Sequence, residues 1–113
     1  TVTSLNETSV TATGTSPTID CETGNFFEIT LSGNTTFTFS NPPASGSSYT
    51  MAIKVIQDAG ASGFTATWPA AVDWPATTAP TLTATASAVD VFMFTTNDGG
   101  TTWYGFTAGL ALG

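Results

Sequence analysis

The stretch from Asp90 to Phe106, DVFMFTTNDGGTTWYGF, decides the fold class of this chain. Two runs of β-branched and aromatic residues lie on either side of Asn97-Asp98-Gly99-Gly100, and these turn residues tolerate the positive φ angles that a tight hairpin requires. The pattern predicts a β-hairpin in which residues 87–95 pair with residues 101–107.

The rest of the chain consists of similar short segments in which apolar and polar residues alternate. Residues 25–31 place Phe27, Ile29 and Leu31 on one face, which predicts a half-buried strand that forms a second hairpin with residues 35–40. Residues 49–57 carry apolar side chains on both faces and are predicted to form a central strand. Residues 81–86 are predicted to form a further short strand.

Composition and turn spacing indicate the same class throughout. The chain contains 25 Thr and 10 Ser among its 113 residues, and the residues that favour helices are scarce. Six to eight short strands joined by Gly, Pro, Asn and Asp turns predict an all-β protein, an antiparallel β-sandwich of jelly-roll type. Residues 1–18 are predicted to form a Thr/Ser-rich arm or linker, and residues 19–113 the β-sandwich domain.

The charge balance argues against several classes of partner. Eight acidic residues face a single basic one, Lys54, which gives a net charge of −7. Nucleic-acid binding needs Lys and Arg on phosphates, so nucleic acid is not an expected partner. Insertion into a membrane is not expected either, because every apolar run is far shorter than a membrane span.

The chain offers little material for catalysis or for a cofactor. It has no His, one Cys and one Lys, which excludes Ser-His-Asp and Cys-His constellations and an ordinary zinc site. We therefore expect no enzymatic activity, no catalytic, cofactor-binding or metal-binding residues and no cofactor. Two alternatives remain open. One is a carboxylate pair for a glycosidase, either Asp20 with Glu22 or Asp73 with Asp98. The other is a calcium site, for which the sequence offers the acidic residues Asp20, Glu22, Asp58, Asp73 and Asp98 but no loop with the required ligand spacing.

Residues 89–94 point large apolar side chains to both sides of one strand. Val89, Val91 and Met93 share one face, while Phe92 and Phe94 share the other with Asp90. One face can meet the domain core, and the other needs a cover. Because no helix is available, the cover is either a second sheet segment of the same chain or another subunit. We favour another subunit, with Phe92 and Phe94 at the interface of a homo-oligomer.

Large aromatic residues are the remaining candidates for recognition. Trp74, Trp103 and Tyr104 are candidate surface-contact residues, because exposed flat rings stack on sugars and anchor interfaces. The competing interpretation places them in the core or in subunit contacts. Trp74 lies in a segment interrupted by prolines, which makes it the strongest candidate for exposure.

Four segments occurring in a fixed order resemble a module of bacteriophage tail fibre and virion-surface proteins. They are Gly24 to Phe27 (GNFF), Asn34 to Pro43 (NTTFTFSNPP), Val72 to Pro75 (VDWP) and Asp98 to Gly105 (DGGTTWYG). The resemblance covers about residues 18 to 109. It implies a trimeric β-structured module at the end of a fibre or on a capsid-surface appendage, without enzymatic activity and without an assigned binding site.

The leading hypothesis is a trimeric virion structural protein that takes part in attachment to the host surface, with a host cell-surface glycan as a possible ligand. Its candidate contact loops are residues 41–48, 58–63 and 70–80, since loops on a rigid β body can vary without disturbing the core. One alternative is a capsid decoration or fibre-assembly subunit that binds other virion proteins. The other is a secreted carbohydrate-binding module that uses Trp74 or Trp103.

Overall fold

Ten short strands form the protein, and a computed structural model describes them over residues 8–113. The only helical element in that range is a single 3-10 turn, Pro75–Thr77. In chain order the strands are β1 (Ser9–Ala12), β2 (Thr18–Asp20), β3 (Phe26–Thr30), β4 (Thr35–Thr36), β5 (Thr38–Ser40), β6 (Tyr49–Ile56), β7 (Ala66–Thr67), β8 (Val72–Asp73), β9 (Val89–Thr96) and β10 (Trp103–Leu112). The prediction of an all-β protein is confirmed.

Six of these strands form the main sheet, in the order β1-β3-β6-β9-β10-β8. The remaining four form two small sheets, β2 with β5 and β4 with β7. The predicted hairpin is present as the antiparallel pair β9 and β10, and β6 is central between β3 and β9.

Strand pairing differs from the antiparallel prediction. Of the seven pairings among the described strands, only β6 with β9 and β9 with β10 are antiparallel; the other five are parallel. The hairpin predicted from residues 25–31 and 35–40 is wrong. In its place β3 pairs with β1 and β6, whereas β4 and β5 leave the main sheet and pair with β7 and β2.

The hydrophobic core lies between the main sheet and the two small sheets. The inner face of the main sheet contributes Phe27, Ile53, Phe92, Phe94 and Trp103, which are all buried. From the opposite side Phe37 and Trp68 close the core, with their rings stacked 4.5 Å apart. Trp68 also contacts Phe94 at a ring-centroid distance of 5.0 Å, so the layers meet through aromatic packing.

The predicted arm, residues 1–18, divides into two parts. Residues 1–7 lie outside the described residues. Ser9–Ala12 forms β1, the edge strand that pairs in parallel with β3, and Pro17 beyond it is buried. The described part of the arm therefore lies against the domain body.

Two further segments differ from the sequence-based predictions. Residues 81–86 contain no strand, because side chains rather than a neighbouring strand bind their backbone. The Asp90 carboxylate accepts the Thr83 amide at 2.7 Å, and the Gln57 side-chain amide donates to the Thr83 carbonyl at 3.2 Å. At the C-terminal end, β10 continues to Leu112 through two register shifts.

Candidate functional site

Phe92 and Phe94, predicted to lie at a subunit interface, are fully enclosed within one copy of the chain. Each side chain is 0 % exposed. Trp74 contacts both rings edge to face, with centroid distances of 6.3 Å and 5.5 Å respectively. Because a single protomer shelters both rings, the prediction for these two residues is wrong, and the argument for assembly that rested on them falls with it.

Trp103 is likewise wrong as a surface-contact residue, since only 2 % of it is exposed. It lies on the inner face at the start of β10, where Phe39 and Tyr49 meet its ring at 5.1 Å and 6.1 Å. A ring enclosed on this side cannot stack on a sugar, which removes one of the two platforms of the carbohydrate-binding alternative.

Trp74 and Tyr104 keep solvent contact to different degrees. Trp74 is half-buried and lines a shallow groove with Val72, Asp73, Ala76 and Thr77. Its ring packs against Trp68 at a centroid distance of 5.9 Å, so the side chain is partly buried against the core. Tyr104, the next residue after Trp103 on β10, is 52 % exposed on the opposite side of the sheet.

The uncovered surface of the domain is the other side of the main sheet, which we call the outer face. Residues in register on neighbouring strands point to the same side. The pairings Phe26 with Ala52, Ala52 with Met93 and Met93 with Phe106 therefore form one continuous apolar row across β3, β6, β9 and β10. Phe106 at its end is 41 % exposed.

Neighbouring positions extend this apolar surface. A second set, in register across three strands, consists of Ile56, Val89 and Leu112. None of the apolar residues of the outer face packs against the core cluster. Thr50, Thr95 and Tyr104 form a polar border towards one end, with the two Thr hydroxyls 2.9 Å apart.

Charge on the outer face is balanced by a single ion pair. Lys54 Nζ lies 2.9 Å from Glu28 Oε1, and Val91 continues their row on β9. Asp73 lies at the rim, on β8 beside Tyr104. Both partners of the ion pair are about one-third exposed, so the pair contributes little to stability but leaves the centre of the face without net charge.

The opposite broad surface of the domain has a different character. The outward positions of the small sheets are mostly exposed threonines, namely Thr18, Thr36, Thr38 and Thr67, together with the half-buried Asp20 and Ser40. The same fold thus presents hydroxyl groups on one side and Phe, Met, Val and Ile side chains on the other. Among the surfaces formed by residues 8–113, only the outer face has the composition of a surface that another molecule covers.

The loops lie at the two opposite ends of the main sheet. At the first, which we call the Pro42 end, residues 41–48 meet the β9–β10 turn, and the Gly46 amide donates to the Asn97 carbonyl at 3.1 Å. The side-chain amide of Asn41 also donates to Asp20 Oδ1 at 3.1 Å. Residues 41–48 therefore belong to one cluster with the turn at Asp20.

The second, the Asp58 end, gathers residues 57–64 and 81–88. The Ser87 amide donates to the Asp58 carbonyl at 3.1 Å. Residues 70–80 run along the side of the sheet, where β8 lies parallel to β10. The three predicted contact loops are thus at two ends and one side, and no single flat target can meet all of them.

Both clusters are held by carboxylates bound to their own turns. Asp58 accepts the Ser62 amide at 2.8 Å and the Ser62 hydroxyl at 2.6 Å. Asp98 Oδ1 accepts hydrogen bonds from the Thr102 amide and from the Thr96 hydroxyl, each at 3.0 Å. Hydrogen bonds from Ser62 lower the pKa of Asp58, and those from Thr102 and Thr96 lower the pKa of Asp98.

The acidic residues considered for catalysis or calcium are spread over the molecule. Asp20 and Glu22 lie at the Pro42 end with Asp98, Asp58 lies at the opposite end, and Asp73 lies on β8. Within residues 8–113, no three His, Cys, Asp or Glu side chains converge as metal ligands. The same residues contain no helix long and apolar enough to cross a membrane.

Cys21 is the free thiol of the chain and is buried. Burial raises its pKa to about 11, against a lowering contribution from a hydrogen bond with Tyr49. Burial also raises the pKa of Tyr49, whose hydroxyl donates to the Gly24 carbonyl. Both groups are neutral near pH 7, and the pair holds the turn after β2 against β6.

Comparison with protein-family models, with curated proteins and with solved structures finds no match to this chain. Function is therefore inferred from the residues and their geometry.

The sequence contained the outer face, but as two separate signals. The sequence shows the alternation of Val89, Val91 and Met93, and it shows that Phe26 lies on the face of residues 25–31 opposite to Phe27. What joins them is the parallel pairing of β3 with β6, which connects strands separated by 18 residues of loop and small sheet. No local pattern specifies such a pairing.

Proposed function

We propose that this chain is a structural subunit of a bacteriophage tail fibre or virion-surface appendage, a non-enzymatic trimeric module that takes part in attachment to the host surface. The observation that carries the proposal is the outer face, whose apolar side chains are exposed at Phe106 and Leu112 and half-buried at Phe26 and Met93, on an otherwise polar, acidic domain. A subunit of a larger assembly exposes such a surface until its partner covers it. The resemblance of residues 18 to 109 to phage fibre modules supports the same reading.

The proposal requires a rigid β domain with one face that a partner can cover. It does not require a jelly-roll topology. Jelly-rolls belong to the antiparallel architectures, whereas five of the seven described pairings here are parallel. The threefold state is the part that the resemblance supplies. Attachment in a trimer is multivalent, so three weak contacts with a host glycan suffice for firm adsorption.

The direction of β1 supports the proposal that one particular end contacts the host. β1 runs parallel to β3 and β6, so Ser9 lies near the Pro42 end. In this proposal the N-terminal arm connects the module to the rest of the appendage. The Asp58 end then points away from the particle, and residues 58–63 are the contact loop, together with residues 81–88.

The experiment compares the two ends with matched substitutions of exposed alanines. Ala59 lies at the Asp58 end and Ala44 at the Pro42 end. The fluorescently labelled chain is titrated onto a panel of bacterial strains and onto their purified surface polysaccharides. We expect Ala59→Arg to weaken binding at least about tenfold, since a bulky cation disturbs an adapted contact, and Ala44→Arg to leave it unchanged.

A result in which only Ala44→Arg weakens binding reverses the orientation of the module. Failure of the chain to bind any strain or polysaccharide on a broad panel refutes the attachment role. In that case the alternative of a capsid decoration or fibre-assembly subunit, bound only to other virion proteins, is the one to pursue.

A further inference from the structure

The geometry points to the outer face as the surface through which copies of this chain contact one another, with the row Phe26, Ala52, Met93 and Phe106 at its centre. The inference rests on the proposed function, which requires an assembly, and it names the occupant of the bare face. It replaces the interface that the sequence suggested. Phe92 and Phe94 are inside the protomer, and their neighbours on the same strand, Val91 and Met93, are at the contact.

The first argument concerns charge. Each copy carries a net charge of −7, so copies approach one another at an electrostatic cost wherever their carboxylates meet. Asp20, Glu22 and Asp98 lie at the Pro42 end and Asp58 at the other. The centre of the outer face carries only the Glu28–Lys54 pair, which is neutral as a unit. Copies that meet there keep their like charges apart.

The chemistry of the face also selects the occupant. The partner must be apolar over a strip about four strands wide, and it need not supply a compensating charge, since Lys54 is already paired. A glycan would require hydrogen-bonding groups that this row does not provide. A second copy presents an equally apolar strip, so each copy supplies the apolar cover that the other lacks.

The area of the face fits an interface of this kind. The row spans four strands, β3, β6, β9 and β10, which have five, eight, eight and ten residues. At about 4.8 Å between strands and about 3.3 Å per residue, these strands give a surface of roughly 500 Å². Two such faces in contact bury roughly 1,000 Å², which is about the area that a specific interface should clear. In a threefold arrangement each face is divided between two neighbours, and three copies together bury roughly 1,500 Å².

The test introduces a carboxylate on the outer face and, as a control, elsewhere. Ala52→Glu places an unpaired charge in the middle of the apolar row, next to Phe26 and Met93. Ala44→Glu places the same charge in an exposed loop at the Pro42 end. Molecular mass is measured by light scattering after gel filtration across a range of micromolar concentrations. Circular dichroism of each variant reports whether the chain is folded.

We expect the unmodified chain and Ala44→Glu to be oligomers and Ala52→Glu to be a folded monomer. Burying an unpaired carboxylate at an interface should raise the dissociation constant at least about 100-fold. A folded Ala52→Glu variant with the same oligomeric mass as the unmodified chain overturns the inference. A monomeric unmodified chain also overturns it.

A measurement on the unmodified chain covers the case in which Ala52→Glu does not fold. The chain has two methionines, one on each side of the main sheet: Met51 is in the core and Met93 is on the outer face. In hydroxyl-radical footprinting of the oligomer, we expect Met93 to be oxidised as slowly as Met51. Fast oxidation of Met93 in the oligomer shows that the outer face is bare and overturns the inference.

These results are separate from those on attachment. An oligomer joined through the outer face that binds no cell supports this inference and refutes the attachment role. A monomer that still adsorbs to cells through residues 58–63 overturns this inference and supports the attachment role.

Discussion

Replacing Gly105 with Ala tests how tightly the edge of the main sheet is packed. Gly105 is on the inner face of β10, opposite Phe94. A Cβ atom built there would lie 2.7 Å from Val72 Cγ1 and 3.1 Å from Trp74 Cζ3. The first distance is shorter than any stable contact, so β8 or the Trp74 ring must move. The backbone at Gly105 has no positive φ, and the effect of the substitution is therefore one of packing.

The expected magnitude follows from two opposing contributions. Forcing a methyl group into a packed site costs about 1–3 kcal/mol. Replacing Gly stabilises by about 0.4–1 kcal/mol through the unfolded chain. We expect Gly105→Ala to lower the free energy of unfolding by about 1–2 kcal/mol, which corresponds to a fall in Tm of about 3–12 °C for a chain of this size. Displacement of Trp74 should also shift its fluorescence to longer wavelength.

Gly60→Ala is the matched control for this prediction. Gly60 also lacks a positive φ, and the nearest atom to a Cβ there is Asp58 Oδ2 at 3.1 Å, which needs to shift by only a few tenths of an ångström. Its free energy of unfolding should change by less than about 0.5 kcal/mol. Both variants are unfolded by urea at one fixed protein concentration, because association would add to apparent stability. Equal stability of Gly105→Ala and the unmodified chain would refute the tight contact with β8.

Three further predictions concern buried or bound ionisable groups. Asp90→Asn should lower the free energy of unfolding by about 2 kcal/mol, because the NH2 group of Asn would face a hydrogen-bond donor. The donors to the Asp90 carboxylate are the Thr83 amide, the Thr83 hydroxyl and the Ala111 amide. A variant as stable as the unmodified chain in urea would contradict this prediction. Cys21 should react with a disulfide reagent at pH 8 much more slowly in the folded than in the urea-unfolded chain. Because its pKa is raised to about 11 from 9.0, the free energy of unfolding should fall as the pH rises between these values. In a Cys21→Ala variant this fall should be smaller. Asp98 has a lowered pKa, so its contribution to stability is present above the unfolded-state pKa and is lost in acid as the pH falls through the folded-state pKa. Asp98→Asn should therefore reduce the dependence of Tm on pH in acid. An unchanged dependence would show that the turn does not need the charge.

The β9–β10 hairpin could be predicted because its turn is encoded locally. Gly99 and Gly100 adopt φ angles of 72° and 81°, which the sequence NDGG allows and most others do not. The failed hairpin between residues 25–31 and 35–40 shows the converse. Gly33 has no positive φ, and the Asn34 side chain accepts the Thr65 amide at 3.0 Å instead of closing a turn. Contacts distant in sequence prevailed over a plausible turn.

The misassignment of Phe92 and Phe94 has a specific physical cause. Both residues share a face with Asp90, and a carboxylate normally marks the side of a strand that faces away from the core. Here Asp90 is itself buried, with backbone and side-chain donors bound to both of its oxygens. Alternation gave the two faces correctly but could not tell which was inside, because that depends on partners far along the chain.

The core of this protein closes within one copy, so folding does not depend on the proposed association, and the Ala52→Glu experiment can test association separately. The core closes within one copy, through Phe37 and Trp68 on one side and the inner face of the main sheet on the other. The outer face adds no side chain to that core, so a charge placed on it removes no core contact. If the protein needed its neighbours in order to fold, Ala52→Glu would unfold rather than dissociate, and stability would depend on protein concentration. A folded Ala52→Glu monomer would instead show that the bare face serves association alone.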